Sequence, residues 1–188
     1  SIMLIVAPGC CGRNTSLISS MPEYNDRFFY LMMDETDIVT GRHLKKIPKA
    51  VKEICDCCEK KPSVVMICIT CVDALLGTDM ERVCRKAEEK VDIPVRPCYM
   101  YALTREGRKP PMVHVRQSLY SLLEPQKKKG NVVNLLGFFS PLVDDCEMYE
   151  LLQQAGVKTI HEISRCKDYE EYQTMSPVSY THLTLPTN

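Results

Sequence analysis

Blocks of apolar residues along the chain predict buried strands. The continuous apolar run at residues 2–7 and the mostly apolar run at 63–70 are typical of strands covered on both faces, and a further strand is expected at 27–33. A short fourth strand is expected at residues 93–97. Each run is separated from the next by a longer polar or amphipathic stretch, so the pattern predicts strands that alternate with helices.

Two amphipathic helices are predicted between these strands. Apolar residues at helical spacing indicate one from Leu44 to about Lys60. The second follows Thr78-x-x-Glu81, a pattern typical of a capping box. Strands that alternate with helices favour an α/β fold, here a Rossmann-like parallel sheet with right-handed crossovers.

The pattern resumes after residue 130 and predicts a second domain. Residues 124–130 (EPQKKKG) have the composition of a linker. We expect a first α/β domain at residues 1–126, with its N-terminal part missing, and an incomplete second α/β domain at residues 131–176. Its first helix is expected to be capped by Asp144 or Asp145. Residues 177–188 contain no charged residue and no helical period, and we interpret them as a non-native, adapter-derived tail.

Composition and charge narrow the class of protein. The 188 residues include 24 Lys and Arg and 24 Asp and Glu, so the formal net charge is zero. This balance gives no indication of nucleic acid as a partner, and no apolar run reaches the 18 residues that a membrane helix needs. The chain has 11 cysteines and no recognisable secretory signal. We therefore expect a cytoplasmic protein whose cysteines serve metal binding, catalysis or packing.

Three cysteines follow predicted strands directly. In an open parallel sheet, ligands bind beyond the carboxyl ends of the strands. Cys11, Cys71 and Cys98 are expected at that edge, after the first, third and fourth strands. Thiolates gathered there suit an iron–sulfur cluster or zinc.

The other candidate residues are expected to have structural roles. Cys68 and Cys84 occupy apolar positions and are assigned to the core, where free cysteine packs as a small hydrophobe. His43, His114 and His161 are scattered, and we expect surface or hydrogen-bonded core histidines. The sequence contains no phosphate-binding loop of the GxxxxGK[ST] or GxGxxG type.

Three motifs in order resemble the nitrogenase component 1 family. They are Pro-Gly-Cys-Cys-Gly at residues 8–12, Asp-Ile-Val-x-Gly at 37–41, and Cys-x-x-x-Leu-Leu-Gly-x-Asp at 71–79. The family includes molybdenum–iron protein subunits, cofactor-assembly scaffolds and protochlorophyllide reductase subunits. The resemblance covers about residues 1–175. The proline that usually follows the later cysteine is absent, and residues 105–111 replace a usual Gly-His or Gly-Tyr, so the chain resembles a divergent member.

The resemblance implies an iron–sulfur cluster, [4Fe-4S] or larger, shared with a partner subunit. Carried over by position, Cys11 and Cys71 become its ligands in this chain. Cys10 stands where the family usually has glycine and is a substitute ligand at most. Cys98 stands where family members usually have no ligand, so the resemblance removes it from the set. No catalytic residue is assigned.

The resemblance also implies partners and an activity. We expect a homologous subunit in a hetero- or homo-oligomer and an ATP-dependent iron–sulfur reductase that delivers electrons. The leading hypothesis is an oxidoreductase subunit that relays those electrons to an unidentified substrate. The alternatives are a non-catalytic scaffold for metallocluster assembly and a cluster-free α/β module that binds a small molecule or metal chelate.

Overall fold

Strands and helices alternate along the chain, as the sequence predicts. The computed structural model describes residues 1–22, 24–99, 111–127, 130–136 and 139–176. The strands are β1 (Ile2–Pro8), β2 (Phe28–Met33), β3 (Val65–Ile69), β4 (Val95–Tyr99), β5 (Val132–Leu135) and β6 (Thr159–Glu162). The helices are α1 (Gly9–Ser19), α2 (Glu35–Thr40), α3 (His43–Cys57), α4 (Cys71–Leu75), α5 (Met80–Val91), α6 (Pro111–Tyr120), α7 (Glu147–Gln154) and α8 (Tyr169–Gln173), and Ile163–Arg165 form one turn of 3₁₀ helix.

Two parallel sheets organise the chain, which confirms the predicted α/β class. The first sheet has the order β2-β1-β3-β4, and the second pairs β5 with β6. The chain divides into two compact units, one of Ser1–Leu119 and one that begins at Tyr120. The predicted linker at residues 124–130 falls at the start of the second unit. The expected tail at residues 177–188 and the family departure at 105–110 lie outside the described residues.

A core cluster of the first unit lies on one face of its sheet, and buried residues such as Ile5 and Cys68 lie on the other face. Ile67 of β3 is fully buried in the core cluster against Ile47 and Val51 of α3 and the apolar face of α5. Helix α1 lies on the other face, since its Gly12 faces the side chains of Tyr30 and Met32, which alternate with the core residues of β2. None of the helices in the described ranges is long and apolar enough to cross a membrane.

Three helices, two of them short, were not predicted from the periodicity. Helix α2 begins after Asp34, whose side chain accepts a hydrogen bond from the backbone N–H of Asp37 at 2.6 Å. It ends at Gly41, which adopts φ of +66°. Helices α2 and α4 span six and five residues, which is too short for an apolar period to show. Helix α1 has no clear apolar stripe, so it too lacks the usual signal.

The start of α5 differs from the predicted capping box by one residue. Asp79, not Thr78, is the N-cap, and its side chain accepts a hydrogen bond from the backbone N–H of Arg82 at 3.0 Å. The prediction of a Thr78-x-x-Glu81 box is wrong because aspartate caps at least as well as threonine and stands next to the helix.

Asp79→Ala should therefore lower the free energy of unfolding by about 1 kcal/mol, because one backbone donor at the helix start loses its partner. Thr78→Ala, its matched control, should change it by less than about 0.5 kcal/mol. Urea denaturation of both variants measures the difference. Equal losses, or a larger loss for Thr78→Ala, would show that the cap is assigned to the wrong residue.

A buried carboxylate organises the second unit. Glu162 at the end of β6 accepts hydrogen bonds from Tyr149 Oη, Ser164 Oγ and the backbone N–H of Leu142 at 2.7 Å each, and from Arg165 Nε at 2.9 Å. Burial alone would raise its pKa, but these four donors outweigh that effect and lower the pKa of Glu162. The carboxylate thus ties α7, the strand end and the segment before α7 together.

The predicted cap of α7 is wrong. The helix starts at Glu147 after Cys146, and neither Asp144 nor Asp145 caps it. Asp144 instead accepts a hydrogen bond from the Arg165 guanidinium at 2.6 Å. The Asp144 side chain, which local sequence predicts as the N-cap, therefore pairs with Arg165, 21 residues further along the chain.

Glu162→Gln should destabilise the chain by about 2–3 kcal/mol at neutral pH, because a neutral amide cannot accept from four donors around a buried site. The contribution of ionised Glu162 to the free energy of unfolding is fully present above the ordinary glutamate pKa. It is lost as pH falls through the lowered pKa of the folded state. The stability gap between wild type and variant should therefore close between about pH 6 and pH 3. Urea denaturation across that range measures it, with the exposed Glu150→Gln as control. A gap that is constant with pH would contradict the assignment.

Candidate functional site

The strand order places a natural binding crevice between β1 and β3. From β1 the chain runs through α1 to β2, which lies at one edge of the sheet. From β3 it runs through α5 to β4, which lies at the opposite edge. The loops that leave these two neighbouring strands therefore diverge, and ligands of open α/β sheets bind at such a point. We call the carboxyl ends of β1 and β3, with Cys11 and Cys71, the strand-end site.

Cys11 lies in the first turn of α1, directly after β1. Its thiol is half-buried, whereas the adjacent Cys10 is exposed, and the two Sγ atoms lie 3.9 Å apart. The buried Gly12 follows and brings the helix close to β2, where an added Cβ would lie 3.3 Å from the Met32 side chain. Burial, the hydrogen bond with Cys10 and the negative charges of Cys10 and Cys71 raise the pKa of Cys11.

Cys71 is the first residue of α4, two residues beyond the end of β3, and is half-buried. Since β1 and β3 pair in parallel, with Val6 beside Ile69, both thiols leave the sheet at the same edge. Cys71 is close enough for its charge to act on the pKa of Cys11. The structure therefore brings the two predicted cysteines to one edge of one sheet, and their role as ligands stays a prediction.

Three further cysteines of the first unit are buried, and two of them were predicted to be. Cys68 and Cys84 are buried, and burial raises the pKa of each to about 12, so the prediction that both belong to the core is confirmed. The residue-based expectation that Cys98 lies beyond the fourth strand is wrong. It lies inside β4, buried and in register with Cys68, because the strand runs two residues further than predicted.

A buried polar network lies beside the strand-end site and was not predicted. His43, the first residue of α3, is 1% exposed, and its Nε2 lies 3.1 Å from Asp73 Oδ1. Its Nδ1 lies 3.0 Å from the backbone carbonyl oxygen of Asp37. This confirms His43 as a hydrogen-bonded core histidine, but no local pattern indicates its partner, which lies 30 residues further along the chain.

Asp37 forms the second half of this network. Its side chain is 1% exposed, accepts a hydrogen bond from Lys46 Nζ at 2.6 Å and lies 3.7 Å from Arg42 Nε. The hydrogen bond from Lys46 is the main cause that lowers the pKa of Asp37. The two cations explain why a carboxylate is tolerated in this buried place.

The donor set at the strand-end site fits part of a cluster and not a complete one. Thiolates are the ligands that iron–sulfur clusters require, and Cys11 and Cys71 supply two, with Cys10 next to the first. Within the described ranges, no group of three or more His, Cys, Asp or Glu side chains is arranged to hold a metal ion. Further ligands from outside these residues would therefore be needed.

The chain matches the family model described as "Nitrogenase component 1 type Oxidoreductase" over residues 1–185. It is 31% identical over 127 residues to the nitrogenase iron-molybdenum cofactor biosynthesis protein NifE of Rhizobium meliloti (strain 1021), which covers 66% of this chain and 26% of that protein. It is 27% identical over 175 residues to the protein of the same name from Nostoc sp., which covers 89% of this chain and 36% of that protein. The chain thus spans about a third or less of these two relatives.

A solved structure supports the same fold. The structure "Nitrogenase Cp1 at pH 5" superposes with a TM-score of 0.64 at 20% identity and covers 92% of this chain and 37% of that chain. At this identity the likeness concerns the fold alone. It confirms that both parallel sheets with their helices resemble nitrogenase component 1 domains.

Proposed function

The chain belongs to the nitrogenase component 1 type oxidoreductase family, and from this we propose that its full-length protein is a subunit of a nitrogenase-like scaffold for metallocluster assembly. In this proposal Cys11 and Cys71 hold part of an iron–sulfur cluster at the strand-end site. The observation that carries it is the placement of two half-buried thiols at one edge of the sheet, where the loops after β1 and β3 diverge.

The relatives favour the scaffold over the electron-relaying enzyme, which is the leading hypothesis from the sequence. The two curated relatives reported above are named for biosynthesis of the iron-molybdenum cofactor. Electron relay is therefore the alternative function, and the experiment must distinguish it from metallocluster assembly.

Both cysteines are suited to bind a soft metal group in the proposed site. Cys11 lies in the first turn of α1 and Cys71 begins α4, so each thiol follows a strand end without a long loop. The raised pKa of Cys11 means that binding of iron would release a proton from this thiol. A bound iron–sulfur cluster supplies one-electron redox chemistry, which the surrounding burial and hydrogen bonds tune.

The incomplete donor set implies a partner. We infer that a homologous subunit contributes further cysteines, so that the cluster is [4Fe-4S] or larger and shared across an interface. As the family resemblance implies, a separate ATP-dependent iron–sulfur reductase would supply the electrons. We place the complex in the cytoplasm, where thiols stay reduced.

Transfer of a cluster tests the proposal. The full-length protein, expressed anaerobically with its neighbouring genes, should contain iron and should activate a cluster-free acceptor protein without turning over a substrate itself. Turnover by the purified complex with its reductase, without transfer, would favour the electron-relaying enzyme. Colourless, iron-free protein would overturn both and leave the cluster-free binding module.

A further inference from the structure

Helix α4, which carries Cys71, has few anchors of its own. It is five residues long, and its far end is open, with Leu75 67% exposed and Leu76 51% exposed. Its N-cap Thr70 makes no side-chain capping bond, and the Oγ1 atom has no hydrogen-bond partner among the described residues. A single turn of helix is not stable by itself, so tertiary contacts must hold it in place.

Asp73 is the one buried side chain of α4. It is 1% exposed, and its Oδ1 lies 3.1 Å from His43 Nε2. In the described part of the chain His43 is its only side-chain hydrogen-bond partner, because Oδ2 has none. A buried carboxylate needs such a partner, so the contact with His43 decides where α4 can sit.

The position of His43 is set by the packing of α3 in the core. His43 opens α3, whose Ile47 and Val51 are fully buried in the core of the first unit. The Asp37 carbonyl oxygen can only accept, so His43 Nδ1 donates to it and the ring orientation is fixed. The imidazole therefore presents Nε2 to Asp73 from a position that the core sets. The hydrogen bond between Nε2 and Asp73 Oδ1 needs one proton between them, carried by the imidazolium or by the Asp73 carboxyl.

We propose that His43 is a positioning residue for Cys71, acting through Asp73, and that it sets where the Cys71 sulfur stands relative to Cys11. Cys71 precedes Asp73 by two residues in the same helical turn, so a shift of Asp73 moves the thiol with it. The role in cluster binding rests on the proposed function. The positioning itself is a property of the metal-free chain and is tested there first.

The first test measures alkylation of single thiols in the metal-free full-length protein by iodoacetamide and mass spectrometry. His43→Leu should raise the rate at Cys71 about tenfold relative to the rate at Cys11, because α4 loses its buried anchor. His43→Gln keeps one donor for Asp73 and should give an intermediate rate. Ile47→Val, one turn further along α3, should leave the ratio within about twofold of wild type although it weakens the core.

The same variants then distinguish positioning from mere stability. In the anaerobic complex, His43→Leu should change the electron paramagnetic resonance line shape of the cluster, and His43→Gln should restore part of it. An unchanged Cys71 rate in His43→Leu, together with a melting temperature lowered as in Ile47→Val, would overturn the proposal. If His43→Leu does not fold, Asp73→Ala, which removes the whole carboxyl group, should raise the same ratio, and an unchanged ratio would overturn the proposal. Wild-type complex without iron would contradict the proposed function and leave the alkylation result standing.

Discussion

Cys71→Ala in the full-length protein should reduce bound iron to about a tenth of the wild-type content or less, since loss of supporting residues alone costs metal sites about 10–100-fold in affinity. Cys11→Ala should have a similar effect. Each substitution removes one of the two proposed ligands at the strand-end site. Iron analysis and electron paramagnetic resonance of the anaerobic complex measure the loss.

Cys84→Ala provides the matched control. Cys84 is a cysteine of the same unit, but it is buried among the core residues of α5. Its replacement should leave iron content and spectrum unchanged while it lowers stability slightly. An iron content that stays at the wild-type level in both Cys11→Ala and Cys71→Ala would contradict the assignment of these ligands.

Ile67→Ala should lower the free energy of unfolding by about 3–4 kcal/mol, which is the largest stability effect we expect from one substitution in the first unit. Ile67 is fully buried on β3, a central strand that pairs with Leu4 of β1 and Pro97 of β4. Truncation leaves a cavity between the sheet and helices α3 and α5. Urea denaturation followed by circular dichroism measures the loss.

Two controls bracket this result. Ile67→Val removes one methylene and should cost about 1 kcal/mol. Val39→Ala, at a side chain that is 85% exposed on α2, should stay within about 0.5 kcal/mol of wild type. A loss below about 1 kcal/mol for Ile67→Ala would mean that β3 is not the centre of the core.

The buried strands of the first unit were predictable because their apolar runs report burial on both faces directly. Their order in the sheet could be expected only as a parallel α/β arrangement, since pairing depends on crossovers that no local pattern encodes. The short helices α2 and α4 escaped prediction because one turn is fixed by caps and tertiary contacts and not by an apolar stripe.

The strand-end site was half predictable. Cys11 and Cys71 follow apolar runs, so a rule about strand ends could find them without any knowledge of the pairing. The contact between His43 and Asp73 joins residues 30 positions apart, and each looks ordinary in its own segment. Only the packing of α3 against the sheet brings that pair together.

Anomalous diffraction at the iron edge tests the central claim most directly. Crystals of the anaerobically purified full-length complex should show an iron peak within bonding distance of both Cys11 Sγ and Cys71 Sγ, with further ligands from outside residues 1–188. Iron located elsewhere in the complex, or no iron peak between the carboxyl ends of β1 and β3, would contradict the account.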